Sequence, residues 1–291
     1  MFSYSDHIVA AAEEVAKTGD VDDVLKNLRK LCLDDFAELL LELPDPRFPH
    51  LSSVLPRMAS EEVQKSWTGN SGRALLRQTA NFVRLVADNC QKLVGRGISD
   101  RTILDFGCGY GRILRLMYYY SSPARIWALD PWEKSIELCR ADRVLGQLAV
   151  SDYLPTAIPV GDTIFDFIYS FSVFTHLSER AATLALSTLR RYVARDGLFV
   201  ITIRPKEYWQ QLDPALTPWI PIDRNELVAR HDRSGFVFVP HGLETVGGEV
   251  TYGDTSMSFE WINEHAEGWN MVGYDHSLSD PLQIHVYLVP N

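Results

Sequence analysis

Residues 103–115 read ILDFGCGYGRILR, a short apolar run broken by one aspartate, then three glycines within five positions. Glycine gives up more backbone freedom on folding than any other residue, so such a cluster answers a conformational demand. A strand, a tight turn and a helix start built around a bound ligand make that demand. In an open α/β sheet, ligands bind beyond the carboxyl ends of the strands. Gly107, Gly109 and Gly111 let the turn close and let a ligand lie against bare backbone. The N–H groups at the helix start favour a negative or electron-rich group.

The surrounding pattern carries the same signature. From residue 101, short apolar runs alternate with helical segments: TILDF, RILRLMYYY, RIWALD, EKSIELCRA, QLAVSD, FDFIYSF, a helix over 178–194, and GLFVITIR. Buried strands alternating with helices imply right-handed crossovers and a parallel sheet. Asp196-Gly197 is expected to turn into the fifth strand. Residues 1–95 read as helical: Asp20 suits an N-cap, and a long helix over 71–94 ends at a C-capping Gly95. Residues 205–256 break the alternation with prolines, aromatics and glycines, and GFVFVP with GEVTYG suggests a hairpin. SMSFEWINEHA reads as a helix, and GWNMVGYD and LQIHVYLVP as closing strands. Leu282, Ile284, Val286 and Leu288 alternate with Gln283, His285, Tyr287 and Val289, which suits a strand with one wetter face or an antiparallel one. The expected organisation is an N-terminal helical cap (1–95) and an α/β domain (96–291) with an inserted acceptor-binding region (205–256).

Composition narrows the partners. The 291-residue chain has a formal charge of −10, which argues against a nucleic-acid binder tracking a phosphate backbone. No run approaches the roughly 20 apolar residues that span a bilayer. The N-terminus lacks the basic segment of a signal peptide. Cys32, Cys90, Cys108 and Cys139 form no CxxC pair, so neither a disulfide framework nor a zinc site is expected, and a reducing cytoplasm is the expected setting. His231 and Asp232 lack metal-ligand spacing, so no metal is expected.

Three successive strands end on aspartates. The dinucleotide pattern G-x-G-x-x-G/A would place glycine or alanine at position 112, where this chain has Arg112, and it does not include Asp105. Asp130 closes the second strand about twenty residues past the turn, where a carboxylate accepts ribose hydroxyls. Pro131 and Trp132 follow, and the indole suits packing on adenine. Asp152, between Ser151 and Tyr153, suits an adenine amino group.

The segments LDFGCGYGR, WALD, SD and FDFIYSFSVFTHL, in that order, resemble the motifs of class I S-adenosylmethionine-dependent methyltransferases. The resemblance covers roughly 100–205 and the closing strands. It implies a Rossmann-like, doubly wound, seven-stranded α/β sheet with an antiparallel last strand, and S-adenosylmethionine as cofactor. It implies that Asp105 and the turn from Gly107 through Cys108 and Gly109 to Gly111, with Arg112, line the methionine part. Asp130 would hold the ribose, Ser151, Asp152 and Tyr153 would meet the adenine, and Phe171 and Ser172 would wall the cofactor. An upstream helix often closes over the cofactor in such enzymes, which makes Trp67 and Arg73 lid candidates; the alternative is a surface helix.

His176, after the fourth strand, has the chemistry of a general base; its alternative is a structural histidine bonded to the neighbouring turn. In 205–256, Tyr208, Trp209, Trp219 and Tyr252 suit stacking on a sugar or aromatic ring, with His231, Asp232, His241 and Asp254 as polar options; the alternative is a small core of the region's own. The expected function is methyl transfer to a small molecule, with O-methylation of a saccharide or secondary metabolite favoured. The rivals are an NAD-dependent oxidoreductase and a non-catalytic scaffold of the same fold. The oligomeric state is not legible.

Overall fold

The computed structural model describes residues 3–212, 223–278 and 280–291. Nine strands lie in two sheets among the described residues. The larger sheet has the order β3-β2-β1-β4-β5-β9-β8, and the chain divides into two compact units, 1–150 and 151–291.

The first unit opens with six helices, α1 (Ser3–Ala16), α2 (Val21–Leu28), α3 (Leu33–Glu42), α4 (Pro49–Val54), α5 (Glu61–Thr68) and α6 (Gly72–Val94). Asp20 caps α2 by accepting from the Asp23 N–H, and Gly95 ends α6 in the left-handed region at φ 71°. One face of α6 buries Leu75, Phe82, Val83, Val86 and Cys90, each full-sized apolar side chain contributing roughly 1.5–3 kcal/mol on burial. That face packs on α3 and on α7 (Arg112–Met117), the helix after the glycine turn. Around it lie β1 (Ile103–Phe106), β2 (Ile126–Asp130), α8 (Glu133–Ala141) and β3 (Gln147–Val150). β1 pairs with β2, and β2 with β3, in parallel. Ile103, Leu104, Ile126, Ala128 and Leu129 are inaccessible, as expected of strands covered on both faces.

The second unit holds β4 (Phe165–Ser170), α9 (Glu179–Leu189), β5 (Val193–Ile203), α10 (Tyr208–Gln211), α11 (Arg224–Ser234), β6 (Phe236–Pro240), β7 (Gly253–Met257), α12 (Phe259–His265), β8 (Trp269–Ser277) and β9 (Asp280–Pro290). β4 and β5 run parallel, whereas β9 runs antiparallel to both β5 and β8. The chain thus has the expected α/β fold, a seven-stranded sheet whose last strand is antiparallel.

Four local expectations need correction. The helix expected over 178–194 is α9, which stops at Leu189 because β5 has begun by Val193. Asp196-Gly197 is an irregularity inside β5 rather than a turn before it, and the β4–β5 register shifts between Phe165 and Phe167. β6 pairs with β7, GDTSM, so GEVTYG is mostly connector. β9 is the antiparallel strand that its alternation allowed, and only the other reading, a wetter face, fails at its centre: His285 and Tyr287 are buried, and both bond to the Asp275 carboxylate, at 2.6 and 2.5 Å. The alternation records buried polar groups with a shared partner rather than exposure.

Candidate functional site

In the first unit, the turn after β1 is bound to the end of β2. The N–H groups of Gly107 and Cys108 both donate to the Leu129 carbonyl, at 2.7 and 3.0 Å, and that of Gly109 donates to Asp130 Oδ2 at 2.9 Å. Gly107, Gly109 and Gly111 sit at φ 83°, 54° and 75°, backbone that side-chain-bearing residues avoid. A Cβ on Gly109 would come to 3.4 Å from the Trp67 ring, and one on Gly111 to 3.2 Å from Arg115 Nη1 and Cys139 Sγ. The spacing of the glycines therefore follows both the dihedrals and the closeness of packing.

Asp130 is buried, and its Oδ1 accepts from the Trp132 N–H at 2.9 Å. Burial raises its carboxyl above the ordinary range, against the opposing hydrogen bonds from Trp132, Gly109 and Ser135. Each oxygen accepts one backbone N–H and keeps capacity for another donor. Asp105 lies buried in β1, in register with Ala128. Cys108 is buried, and Cys139 together with desolvation pushes its thiol well up, so it stays protonated. Arg112 turns away from the turn to α6, donating to Gln78 Oε1 at 3.1 Å and Thr79 Oγ1 at 2.7 Å.

Trp67, at the end of α5, stacks on Trp132 with ring centroids 4.9 Å apart and planes 19° from parallel. Its Nε1 donates to Ser135 Oγ at 3.4 Å, and Lys134 Nζ lies 5.4 Å from both indoles. Arg73, expected beside Trp67, instead pairs with Glu38 and Glu42 at 2.8 Å on an exposed face. The brace under the turn is Arg115, fully buried and unforeseen. It donates to the Tyr110 carbonyl at 2.6 Å and to the Arg57 carbonyl at 2.7 and 3.1 Å, with Asp142 3.7 Å away.

These residues fit S-adenosylmethionine. The bare peptide of the glycine turn offers the close backbone approach that a sulfur-bearing chain needs, two buried carboxylates suit hydroxyl and ammonium donors, and an indole flanks the second of them.

In the second unit, Ser151 is buried, whereas Asp152 and Tyr153 are exposed. Phe171 is buried with its ring centroid 6.3 Å from that of His285. Ser172 takes φ 58°, rare for a residue with a side chain, and its N–H donates to Thr202 Oγ1 at 2.6 Å. Past Ser172 the chain is stitched to β7: the Gly253 N–H donates to the His176 carbonyl and the Thr255 N–H to that of Thr175, both at 2.9 Å. Gly253 admits no side chain, because its Cβ would lie 2.2 Å from the Val239 carbonyl oxygen. This stitching brings His176 and Asp254 together.

The result is a polar cluster drawn from four segments. His176 Nδ1 donates to the Gly253 carbonyl at 2.6 Å, and Arg204 Nη2 donates to Nε2 at 3.2 Å. Arg204 also binds Asp254 Oδ1 and, at 2.8 Å, the Thr175 carbonyl. Its guanidinium carbon lies 4.1 Å from the Tyr208 ring centroid. His241 Nε2 faces Asp254 Oδ2 at 2.9 Å. Tyr252 stacks on His176 at 5.1 Å and meets His241 edge-on at 5.4 Å. Burial, then Arg204, depress His176 to about 3, so it stays neutral. Burial alone would raise Asp254, but His241, Arg204 and His176 hold it at about 2.

This geometry opposes the base role expected of His176, since both ring nitrogens are engaged. Trp209 is likewise closed to a ligand: it is fully buried in a cluster with Leu212, Leu227, Val237 and Val239, and its Nε1 donates to Ser256 Oγ at 2.7 Å. The small core weighed as an alternative for this region accounts for Trp209. His231 is buried against the same Ser256 hydroxyl, at 2.7 Å, while Asp232 pairs with Lys206 at 2.6 Å on the surface. Trp219 lies outside the described residues. Sequence reasoning missed the meeting of His176, Arg204, His241 and Asp254, for which no local spacing exists. Among the described residues, His176, His241 and Asp254 alone could converge on a metal ion, with Arg204 on one oxygen of the carboxylate, Oδ1.

Residues 104–201 match the family model of the methyltransferase domain. No curated protein matches the chain. Among solved structures, the PH0226 protein of Pyrococcus horikoshii OT3 aligns at 13% identity over 80% of this chain and 100% of its own, with a TM-score of 0.55, a likeness of fold. The magnesium protoporphyrin IX methyltransferase of Synechocystis PCC 6803 with bound SAH aligns at 14% identity over 78% and 92%, with a TM-score of 0.48. An S-adenosylmethionine-dependent methyltransferase of Clostridium acetobutylicum ATCC 824 aligns at 13% identity over 71% and 89%, with a TM-score of 0.45.

Proposed function

We propose that this chain, whose residues 104–201 match the methyltransferase-domain model, is a class I S-adenosylmethionine-dependent enzyme that methylates a hydroxyl group of a small molecule such as a saccharide or an aromatic secondary metabolite. The observation that supports the acceptor class is the cluster around Asp254. It offers a half-exposed tyrosine ring and an accessible imidazole, and the chain as a whole is acidic. A flat ring of Tyr252's kind suits a sugar or aromatic face, whereas a polyanion would need a basic surface.

In the first unit we assign Asp105 and the bare peptides of Gly107 to Gly111 to the methionine part of the cofactor, Asp130 to the ribose and Trp132 to the adenine. Trp67 is assigned as the lid over Gly109. S-adenosylmethionine supplies an already activated methyl group. The protein's work is to hold the acceptor oxygen in line, exclude water and receive the hydroxyl proton. All four cysteines are free, which suits a reducing cytoplasm, and no described helix is long and apolar enough to cross a membrane.

A screen of mono- and oligosaccharides and phenols with methyl-labelled cofactor tests the reading. Label on oxygen is the expected result, and label on nitrogen, or on protein or nucleic acid only, overturns it. Calorimetry with S-adenosylhomocysteine and NAD separates the cofactor classes, and only the former should give binding heat.

A further inference from the structure

We propose that a cavity between α11 and α12, wholly within the second unit, binds a small aromatic amine, with its ammonium among glutamates and an oxygen at its far end on His231. The site stands apart from the reading of the chain as an O-methyltransferase and does not depend on it.

The cavity has a volume of about 490 Å³, within the roughly 300–1,000 Å³ of small-molecule sites. Every residue lining it lies between Ile203 and Ile284, so none comes from the glycine turn. Its walls are pinned by backbone. The Ser258 N–H, before α12, donates to the carbonyl of Gly235, after α11, at 2.7 Å, and the Met257 N–H donates to the Arg204 carbonyl at 3.1 Å. Gly235 sits at φ 69°, and a Cβ on it would lie 2.6 Å from Ser258 Oγ. Ile203, Met257, Phe259, Trp261 and Ile284 give the cavity an apolar surface that suits a flat ring.

His231 adds one oriented polar edge. It lines the cavity and is 8% exposed. Trp209 Nε1 can only donate, and it donates to Ser256 Oγ at 2.7 Å. The Ser256 hydrogen is then directed at His231 Nδ1, 2.7 Å away, the acceptor it reaches among the described residues. An imidazole that accepts at Nδ1 carries its own hydrogen on Nε2. Burial pulls His231 below its ordinary range, so the ring stays neutral. His231 makes no second side-chain hydrogen bond among the described residues, which leaves Nε2–H to donate to an oxygen in the cavity.

Charge decides the sign of the ligand. The two cations of the lining are already paired, Lys206 with Asp232 at 2.6 Å and Arg233 with Glu226 at 2.7 Å. Glu207, Glu260 and Glu264 also line the cavity, and they have no ion-pair partner among the described residues. Nor do they come together, among those residues, in a group able to hold a metal ion. Carboxylates spread around an apolar wall suit an organic ammonium, whose stem lies on the wall while its charge stays at the wet rim. An organic anion would meet like charge there.

Calorimetry on the full chain with tyramine tests the proposal. Tyramine should bind one to one, and saturating S-adenosylhomocysteine should not displace it. Tyrosol, with a hydroxyl in place of the ammonium, should bind roughly tenfold more weakly. Phenethylamine, which lacks the phenol oxygen, should bind roughly three- to tenfold more weakly. The anion 3-(4-hydroxyphenyl)propionate should give no binding heat. Glu260→Gln with Glu264→Gln alters exposed side chains only, and it should weaken tyramine roughly three- to tenfold while leaving tyrosol unchanged. His231→Gln should bring tyramine down to the affinity of phenethylamine and leave phenethylamine where it was. Nitrogen NMR of the ¹⁵N-histidine-labelled wild type should show His231 protonated at Nε2, with that resonance shifted by tyramine. Absence of tyramine binding, displacement by S-adenosylhomocysteine, or tyrosol or the anion binding as tightly as tyramine overturns the proposal. So does a tyramine affinity unchanged by the glutamate substitutions, a measurement that does not depend on the folding of the His231 variant.

Discussion

The glycine turn of the first unit draws its parts from Asp105 to Trp132, with Trp67 laid on top. The polar cluster of the second unit collects residues 176, 204, 241, 252 and 254, and it exists only because the segment after β4 is stitched to β7. The turn works through backbone, which demands particular residue types at fixed spacing. The cluster works through side chains, which any sufficiently long route can deliver. A site of the first kind is written locally, and a site of the second kind is written in the tertiary structure.

Removing what supports each region tests the comparison. Arg115→Met should cost most, because it strips the buried donor from the Tyr110 and Arg57 carbonyls and takes the buried one of two cations from Asp142, leaving it Arg57 at 4.0 Å. We expect a loss of roughly 3–5 kcal/mol in urea unfolding. A loss below 1 kcal/mol would mean that the turn stands without its brace.

Acid should act on the second unit first. His176 is held near 3 in the folded protein against 6.5 for the free side chain, so the unfolded state takes up the proton first. Stability is therefore full above pH 6.5 and falls on acidification toward pH 3, at up to about 1.4 kcal/mol per pH unit for one proton. Asp254, held near 2 against 3.8, adds a second loss at still lower pH. In His176→Gln the slope between pH 6 and 4 should flatten, measured by urea unfolding at each pH. An unchanged slope would place the proton uptake elsewhere.

Asp130→Ala should weaken S-adenosylhomocysteine roughly 10–100-fold by calorimetry, the loss of charged hydrogen bonds to two hydroxyls. The circular dichroism of the fold should persist. Unchanged affinity would remove the ribose contact. Trp67→Ala should have the smallest effect, about 1 kcal/mol or less in cofactor affinity, with loss of the fluorescence change that accompanies binding. A fluorescence response as large as that of the wild type would assign the signal to Trp132 or another indole.

Much of the fold was legible because strand and helix periods in the α/β region are set by burial, which the apolar runs record. Asp20, Gly95 and the glycine turn announced themselves through residue type alone. The errors share a cause. At β9, His285 and Tyr287 look like a wet face until Asp275, ten residues upstream of His285, supplies their partner. Trp209 looks like a ligand platform until Leu227 and Val237 close over it. Arg73 and Arg112 point to the cofactor in sequence and to Glu38 and Thr79 in space. Partners chosen across long stretches of chain leave no trace in local spacing, which is also why His241 and Asp254 read only as polar options.

The indole of Trp67 resting against Gly109 carries a kinetic consequence. If Trp67 is the lid proposed above, a cofactor would reach the turn only after α5 lifts, and its association should proceed through a unimolecular opening. In stopped-flow mixing, the observed rate should climb with cofactor concentration and then level off, and Trp67→Ala should restore a straight line. The six N-terminal helices would then govern how often the enzyme is available, independently of how firmly it holds what it has admitted.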